Sequence, residues 1–203
     1  MRLGIYGGSF DPVQNAHLAV ASACQRQAHL DAVWFTPTAI QPLKRTGPRA
    51  SNSHRVELLR LAIKEEPTWR VCTIEIDRGG LSYTVDTLRQ IHEDLPDADL
   101  FFLFGADALY DVAKWKEPQE IFHLATPLVV RRDAQSTPDF DQLKQLCTEG
   151  TQPKLIEMPA MDVSSSEIRR RVAGGKTIDS LVPDAVAEFI AQHDLYRHPA
   201  DDC

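Results

Sequence analysis

Short apolar runs alternate with stretches of helical periodicity along most of the chain. Residues 3–6 form an apolar run ending in a pair of glycines, and a helix is expected from about residue 16 to 28 with Asn15 as its N-cap. A second strand is expected at 32–35, then a helix over 55–64 with Val56, Leu59 and Ile63 on one side. A third strand over 70–76 precedes a helix over 84–93 carrying Val85, Leu88 and Ile91. Residues 100–104 are apolar on both faces, as buried parallel strands are. Further strands are expected at 128–130 and 154–157, with helices near 139–146, 165–172 and 184–192. This rhythm predicts an α/β fold, a Rossmann-like parallel sheet with helices on both faces. Residues 1–203 are expected to form a single domain, with a helical C-terminal part at about 160–195 and a tail at 198–203. Sheets of this kind bind ligands beyond the carboxyl ends of their strands, so the chemistry is sought in the loops there.

Composition narrows the class of partner. The 203 residues are 43% hydrophobic and 25% charged, which fits a globular chain and excludes a disordered or fibrous one. Twenty-two Lys and Arg against 29 Asp and Glu leave a net charge of −7, which argues against nucleic acid or an anionic membrane as partner. A locally basic pocket for a small anion stays compatible with that sum, as does a homo-oligomer. Cys24, Cys72, Cys147 and Cys203 are far apart, without a C-x-x-C pair or zinc-like His spacing, and are expected to be reduced thiols. The first residues lack the apolar run of a signal peptide, and the 100–104 run is too short to span a bilayer. A cytoplasmic protein is expected.

Chemistry concentrates in the segment after the first strand, Gly7-Gly8-Ser9-Phe10-Asp11-Pro12-Val13-Gln14-Asn15-Ala16-His17. Two glycines let the backbone pass close to a ligand, and the following helix start offers N–H groups and a positive dipole end, with His17 in its first turn. That is a seat for phosphate; a tight turn with a surface histidine gives the same pattern. The dinucleotide fingerprint G-x-G-x-x-G is missing, and Gly175-Lys176-Thr177 lacks the upstream glycine of a P-loop and reads as a helix end. The stretch between residues 36 and 53, with three prolines and Lys44, Arg45 and Arg49, is either a functional or a solvated basic loop. Ser164-x-x-Glu167 reads as a capping box that starts a helix, with Ile168 and Val172 toward the core.

Taken in order, these fragments resemble the nucleotidyltransferases with an H-x-G-H or T-x-G-H signature, and within them the bacterial nicotinate mononucleotide adenylyltransferases. The resemblance rests on the 7–17 segment, Pro42-x-Lys44, Arg55 with Leu58-Leu59, and Ser82-Tyr83-Thr84-x-Asp86-Thr87-Leu88. It continues through Gly105-Ala106-Asp107, Lys114-Trp115 and Ser164-Ser165-Ser166-x-Ile168-Arg169, so it covers nearly the whole chain. It implies an enzyme that joins ATP and nicotinate mononucleotide into a dinucleotide with release of pyrophosphate, Mg²⁺ arriving with the ATP. By the same resemblance His17, Gln14, Lys44 and Arg169 are catalytic. ATP would meet Gly7, Gly8, Ser9, Phe10, Gln14, His17, Lys44, Gly105, Asp107, Ser164, Ser165, Ser166 and Arg169. The mononucleotide would meet Ser9, Lys44, Tyr83, Thr84, Asp107, Trp115 and Arg132, with Trp115 stacked on the pyridine and the Tyr83 and Thr84 N–H groups taking its carboxylate.

Two positions depart from the signature, which here runs Gln14-Asn15-Ala16-His17. An amide at Gln14 can donate to a phosphate oxygen but carries no charge, and the expected loss is about 1–3 kcal/mol, roughly ten- to a hundredfold in rate. The expectation is an active, slower enzyme; a silent nucleotide-binding homologue and a related adenylyltransferase such as the phosphopantetheine enzyme are the alternatives.

Overall fold

The computed structural model describes residues 1–43, 46–131, 140–148 and 151–197. Among these residues, six parallel strands form one sheet: β1 (Arg2–Gly8), β2 (Ala32–Pro37), β3 (Trp69–Val71), β4 (Asp99–Gly105), β5 (Thr126–Arg131) and β6 (Lys154–Glu157). Their spatial order is β3-β2-β1-β4-β5-β6. The helices are α1 (Asn15–Ala28), α2 (Asn52–Ala62), α3 (Ile74–Arg78), α4 (Thr84–Asp94), α5 (Pro118–Leu124), α6 (Asp141–Leu146), α7 (Ser165–Ala173) and α8 (Asp184–Gln192), with a 3₁₀ segment at Ala106–Lys114. The expected Rossmann-like sheet is therefore present, covered on both sides.

Period-two alternation decides which face each strand residue serves. In β4, Phe101 and Leu103 join the core beneath α1, α2, α7 and α8, while Leu100, Phe102 and Phe104 join the core beneath α4 and α5. In β5, Leu128 and Val130 take the first side and Val129 the second. No helix in the described residues is long and apolar enough to cross a membrane.

Three expectations differ from the structure. The strand foreseen at 70–76 stops at Val71, and residues from Ile74 turn into α3. Among the described residues β3 is an edge strand paired only with β2, and the Thr73 hydroxyl bonds Asp77 at 2.7 Å across one helical turn, so local bonding outweighs the apolar alternation. The N-cap of α1 is Gln14, because Asn15 is drawn away: its N–H meets Leu181 O at 2.9 Å and its amide meets Ser180 O at 3.1 Å. In α7, Ser164 does cap the Glu167 N–H at 3.1 Å, but the Glu167 carboxylate pairs with Arg170 and Arg171 instead of returning to the cap. The helix end foreseen at Gly175 is present, with Gly174 as C-cap and Gly175 at φ 66°.

β1 is the strand at which the order reverses, with β2 on one side and β4 on the other. The connections leaving β1 and β4 diverge there, opening a crevice beyond their carboxyl ends.

Candidate active site

The loop leaving β1 is shaped by one buried carboxylate. Asp11 accepts the Arg49 N–H at 2.7 Å, the Ala50 N–H at 3.0 Å and the Tyr196 hydroxyl at 2.8 Å. Arg169 donates to the Asp11 carbonyl at 2.6 Å and lies 3.6 Å from its carboxylate. Burial, with the Asp11 charge next, pushes the Tyr196 phenol far above its ordinary range and keeps it a donor. Arg55, fully buried, donates to the carbonyls of Ser9 at 2.7 Å and Thr38 at 2.6 Å and to Asn52 at 2.7 Å. Burial draws its pKa down while Asp11, Tyr196 and Glu75 hold it up. Phe10 takes φ 45°, a conformation costly for a side-chain residue, and its ring packs edge-on to Tyr6 and His17. A Cβ on Gly8 would come within 3.0 Å of that ring.

The start of α1 sets the histidine. The Gln14 side chain accepts the Ala16 N–H at 2.8 Å, and the Gln14 N–H donates to His17 Nδ1 at 3.2 Å. With Nδ1 accepting, the ring proton of neutral His17 sits on Nε2.

His17 lines a pocket of about 560 Å³ that also reaches Gly7, Gly8, Ser9, Tyr83, Thr84, Gly105, Asp107 and Trp115. The Asp107 carboxylate folds back over the end of β4, so that a Cβ at Gly105 would lie 2.3 Å from its Oδ1 and would turn that side chain away. Trp115 stands edge-on to Phe102 at 5.9 Å and to Phe104 at 5.4 Å, which makes an aromatic wall. Across from it α4 begins without a side-chain cap among the described residues, leaving N–H groups of its first turn for a ligand. Lys116 sits 4.9 Å from the Tyr83 ring centroid and pairs with Asp86 at 2.8 Å. One end of the pocket suits phosphate and the other a flat, acid-bearing ring.

Residues 5–171 match the cytidylyltransferase-like family. The chain belongs to that family. Its relatives include proteins named as probable nicotinate-nucleotide adenylyltransferases. That of Clavibacter michiganensis is 39% identical, over 98% of this chain and 96% of its own length. That of Clostridium beijerinckii is 38% identical over 97% and 99%, and that of Salinibacter ruber 36% identical over 99% and 100%. The fold is shared with a Plasmodium falciparum nicotinic acid mononucleotide adenylyltransferase solved with NaAD, at a TM-score of 0.79, 20% identity, and coverage of 98% of this chain and 99% of the other.

Within this cytidylyltransferase-like chain, the pocket gathers Gly7, Gly8, Ser9, His17, Tyr83, Thr84, Gly105, Asp107 and Trp115 from the residues singled out in the sequence. Others are placed behind it. Phe10 is core. The Gln14 amide, expected to donate to phosphate, instead donates to Val163 O at 3.1 Å, so its side chain is used in capping α1 and joining it to the segment before α7. Ser165 donates to Pro12 O at 2.9 Å, and Arg169 bonds Ser166 as well as Asp11, so this group, capped by Ser164, backs onto the glycine loop. Arg55, one of the residues that carry the resemblance, holds carbonyls inside the loop. Lys44 and Arg132 lie outside the described residues. Sequence reasoning missed Glu75, Thr36 and Thr38, which line the pocket and are buried or half-buried polar residues. The signal of Glu75 was weak, since the 70–76 run carried the alternation of a strand.

Proposed function

We propose that this chain is a nicotinate-nucleotide adenylyltransferase, transferring the adenylyl group of ATP to nicotinate mononucleotide and releasing pyrophosphate in NAD biosynthesis. The observation that carries the reading is the continuity of one pocket from His17 and the glycine loop to Trp115 and the uncapped start of α4. The family membership and the full-length relatives support the same chemistry.

A 5′-phosphate oxygen of the mononucleotide attacks the α-phosphorus of ATP, and the bond to the β-phosphate oxygen breaks. The nucleophile is already an anion, so the protein aligns the reactants and offsets charge. His17, with Nδ1 occupied by the Gln14 N–H, offers Nε2–H to the α-phosphate. Backbone N–H groups at Gly7, Gly8 and Ser9 accompany it. Lys44 adds a point charge at the β- and γ-phosphates, Gly105 and Asp107 take ribose, and Ser164, Ser165, Ser166 and Arg169, which back onto the glycine loop, hold it against those phosphates. Trp115 stacks on the pyridine, Tyr83 and Thr84 receive its carboxylate, and Arg132 pairs with an anionic group of the mononucleotide. Mg²⁺ enters as Mg–ATP; among the described residues no three His, Cys, Asp or Glu gather in a metal-binding group. Gln14 in this scheme supports the loop and His17, so its lack of charge does not silence the enzyme. The whole chain works as one domain, in the cytoplasm, on small-molecule substrates rather than nucleic acid or membrane, and a homo-oligomer is compatible with it.

A pyrophosphate-release assay with ATP and either nicotinate or nicotinamide mononucleotide tests this. Release that needs both substrates and is faster with the nicotinate compound is expected. ATP binding by calorimetry without turnover of any mononucleotide would overturn it in favour of a silent nucleotide-binding protein.

A further inference from the structure

Beneath the aromatic wall lies a polar floor. Glu75 is 4% exposed, lines the pocket, and its Oε2 has no hydrogen-bond partner among the described residues. Thr36 Oγ1 and Thr38 Oγ1, on two further pocket residues, are buried in the same condition. The other Glu75 oxygen accepts the Thr87 hydroxyl at 2.8 Å, a shorter contact than the 3.4 Å from that hydroxyl to Tyr83 O, and Thr87 in turn accepts from Arg78 at 2.9 Å. Thr87 sits one turn into α4, and its own N–H returns to Tyr83 O at 3.2 Å. On the other side Ser82 is held by β2's extension: its N–H meets Ile40 O at 2.8 Å and its Oγ accepts the Ala39 N–H at 2.8 Å. The turn containing Tyr83 and Thr84 is thus pinned from both ends, by Ser82 and by Glu75.

We infer that Glu75 is a positioning residue for the first turn of α4 and, through Thr87, sets the pocket's selectivity for an acid over an amide on the pyridine ring. The inference rests on the proposed acid-binding role of that turn. Burial raises the Glu75 carboxyl above its ordinary range despite the opposing hydroxyls of Thr87 and Ser82 and the charges of Arg78 and Arg55. The upward shift favours the neutral carboxyl, the form that leaves the helix N-terminus free to attract a substrate carboxylate.

Steady-state kinetics of wild type, Glu75→Ala, Glu75→Gln and Thr87→Val with both mononucleotides test it. Glu75→Ala is expected to raise KM for nicotinate mononucleotide about tenfold and cut the acid-over-amide ratio of kcat/KM about tenfold, with KM for ATP within about twofold. Thr87→Val, close to isosteric, reproduces this, and Glu75→Gln, which keeps a neutral head and an acceptor for Thr87, stays within about twofold of wild type. An unchanged ratio in Thr87→Val, equal losses toward ATP and mononucleotide, or a Glu75→Gln as impaired as Glu75→Ala overturns the inference. If Glu75→Ala does not fold, Thr87→Val and Glu75→Gln decide it. Wild type that uses both mononucleotides equally instead overturns the acid-subsite reading itself, so the two failures are distinguishable.

Discussion

At the glycine-loop end of the pocket, buried Asp11 ties β1's exit to the segment before α2 and to Tyr196 beyond α8 through its carboxylate, and to α7 through its carbonyl. At the aromatic end, the wall of Phe102, Phe104 and Trp115 rests on ring packing, and the neighbouring pair of Lys116 with Asp86 is open to water, at 40% and 31% side-chain exposure. The first end is a network in which each polar partner depends on the others, and removing one strands buried charge. The second is made of contacts that are individually modest, because exposed ion pairs are worth about 0–1 kcal/mol. Damage at the first end should therefore reach the whole fold, and damage at the second should stay with the ligand.

The largest effect is expected from Asp11→Ala, which leaves two backbone N–H groups and the Tyr196 hydroxyl unmatched beside Arg55 and Arg169. Denaturant unfolding should record a loss of about 3–5 kcal/mol; a loss under about 1 kcal/mol would dissolve the contrast between the two ends. His17→Ala separates chemistry from stability at the same end. Its kcat should fall about 10²- to 10³-fold, as for loss of one transition-state donor, while the unfolding midpoint moves little; near-normal turnover removes His17 from the mechanism. Trp115→Ala probes the other end, where KM for the mononucleotide should rise about tenfold with KM for ATP nearly unchanged. An equal rise in both would mean that the wall serves the pocket as a whole.

Glu75→Gln gives the smallest shift, and its sign follows from linkage. The folded-state pKa of Glu75 is raised, so the stability tied to its protonated form is complete below the ordinary carboxylate range and is lost as pH rises toward the raised value. Glutamine cannot ionise. The melting temperature of Glu75→Gln minus that of wild type should therefore increase from pH 4 to pH 7, and a decrease would place an ionised Glu75 in the folded protein.

Legibility in the sequence followed the range of the interactions. β4 was evident because five consecutive apolar residues have few other homes, and α7 because Ser164 caps its own neighbour. The 3₁₀ segment and α5 were not foreseen, although Pro118 at the start of α5 is a local signal for a helix beginning. Glu75 sat inside a run that alternates like a strand, and its bond to Thr87, twelve residues away, adds to the local Thr73–Asp77 bond in turning the chain there.

The amino-acid sequence by itself determined the parallel α/β architecture, the location of ligand chemistry at the exits of β1 and β4, and the candidate residues His17, Asp107 and Trp115. The architecture and His17 follow from periodicity and from spacing within single segments, which the linear order carries in full, while Asp107 and Trp115 follow from the family resemblance. Tertiary structure alone decided that Gln14 caps α1 and reaches Val163 across 149 positions, that Arg55 and Arg169 brace the loop from behind, and that Asp11 is the junction. Each of these depends on which distant polar group is close enough to satisfy a buried donor or acceptor. That is settled only when the helices pack, because burial makes an unmatched polar group costly and so selects the partner.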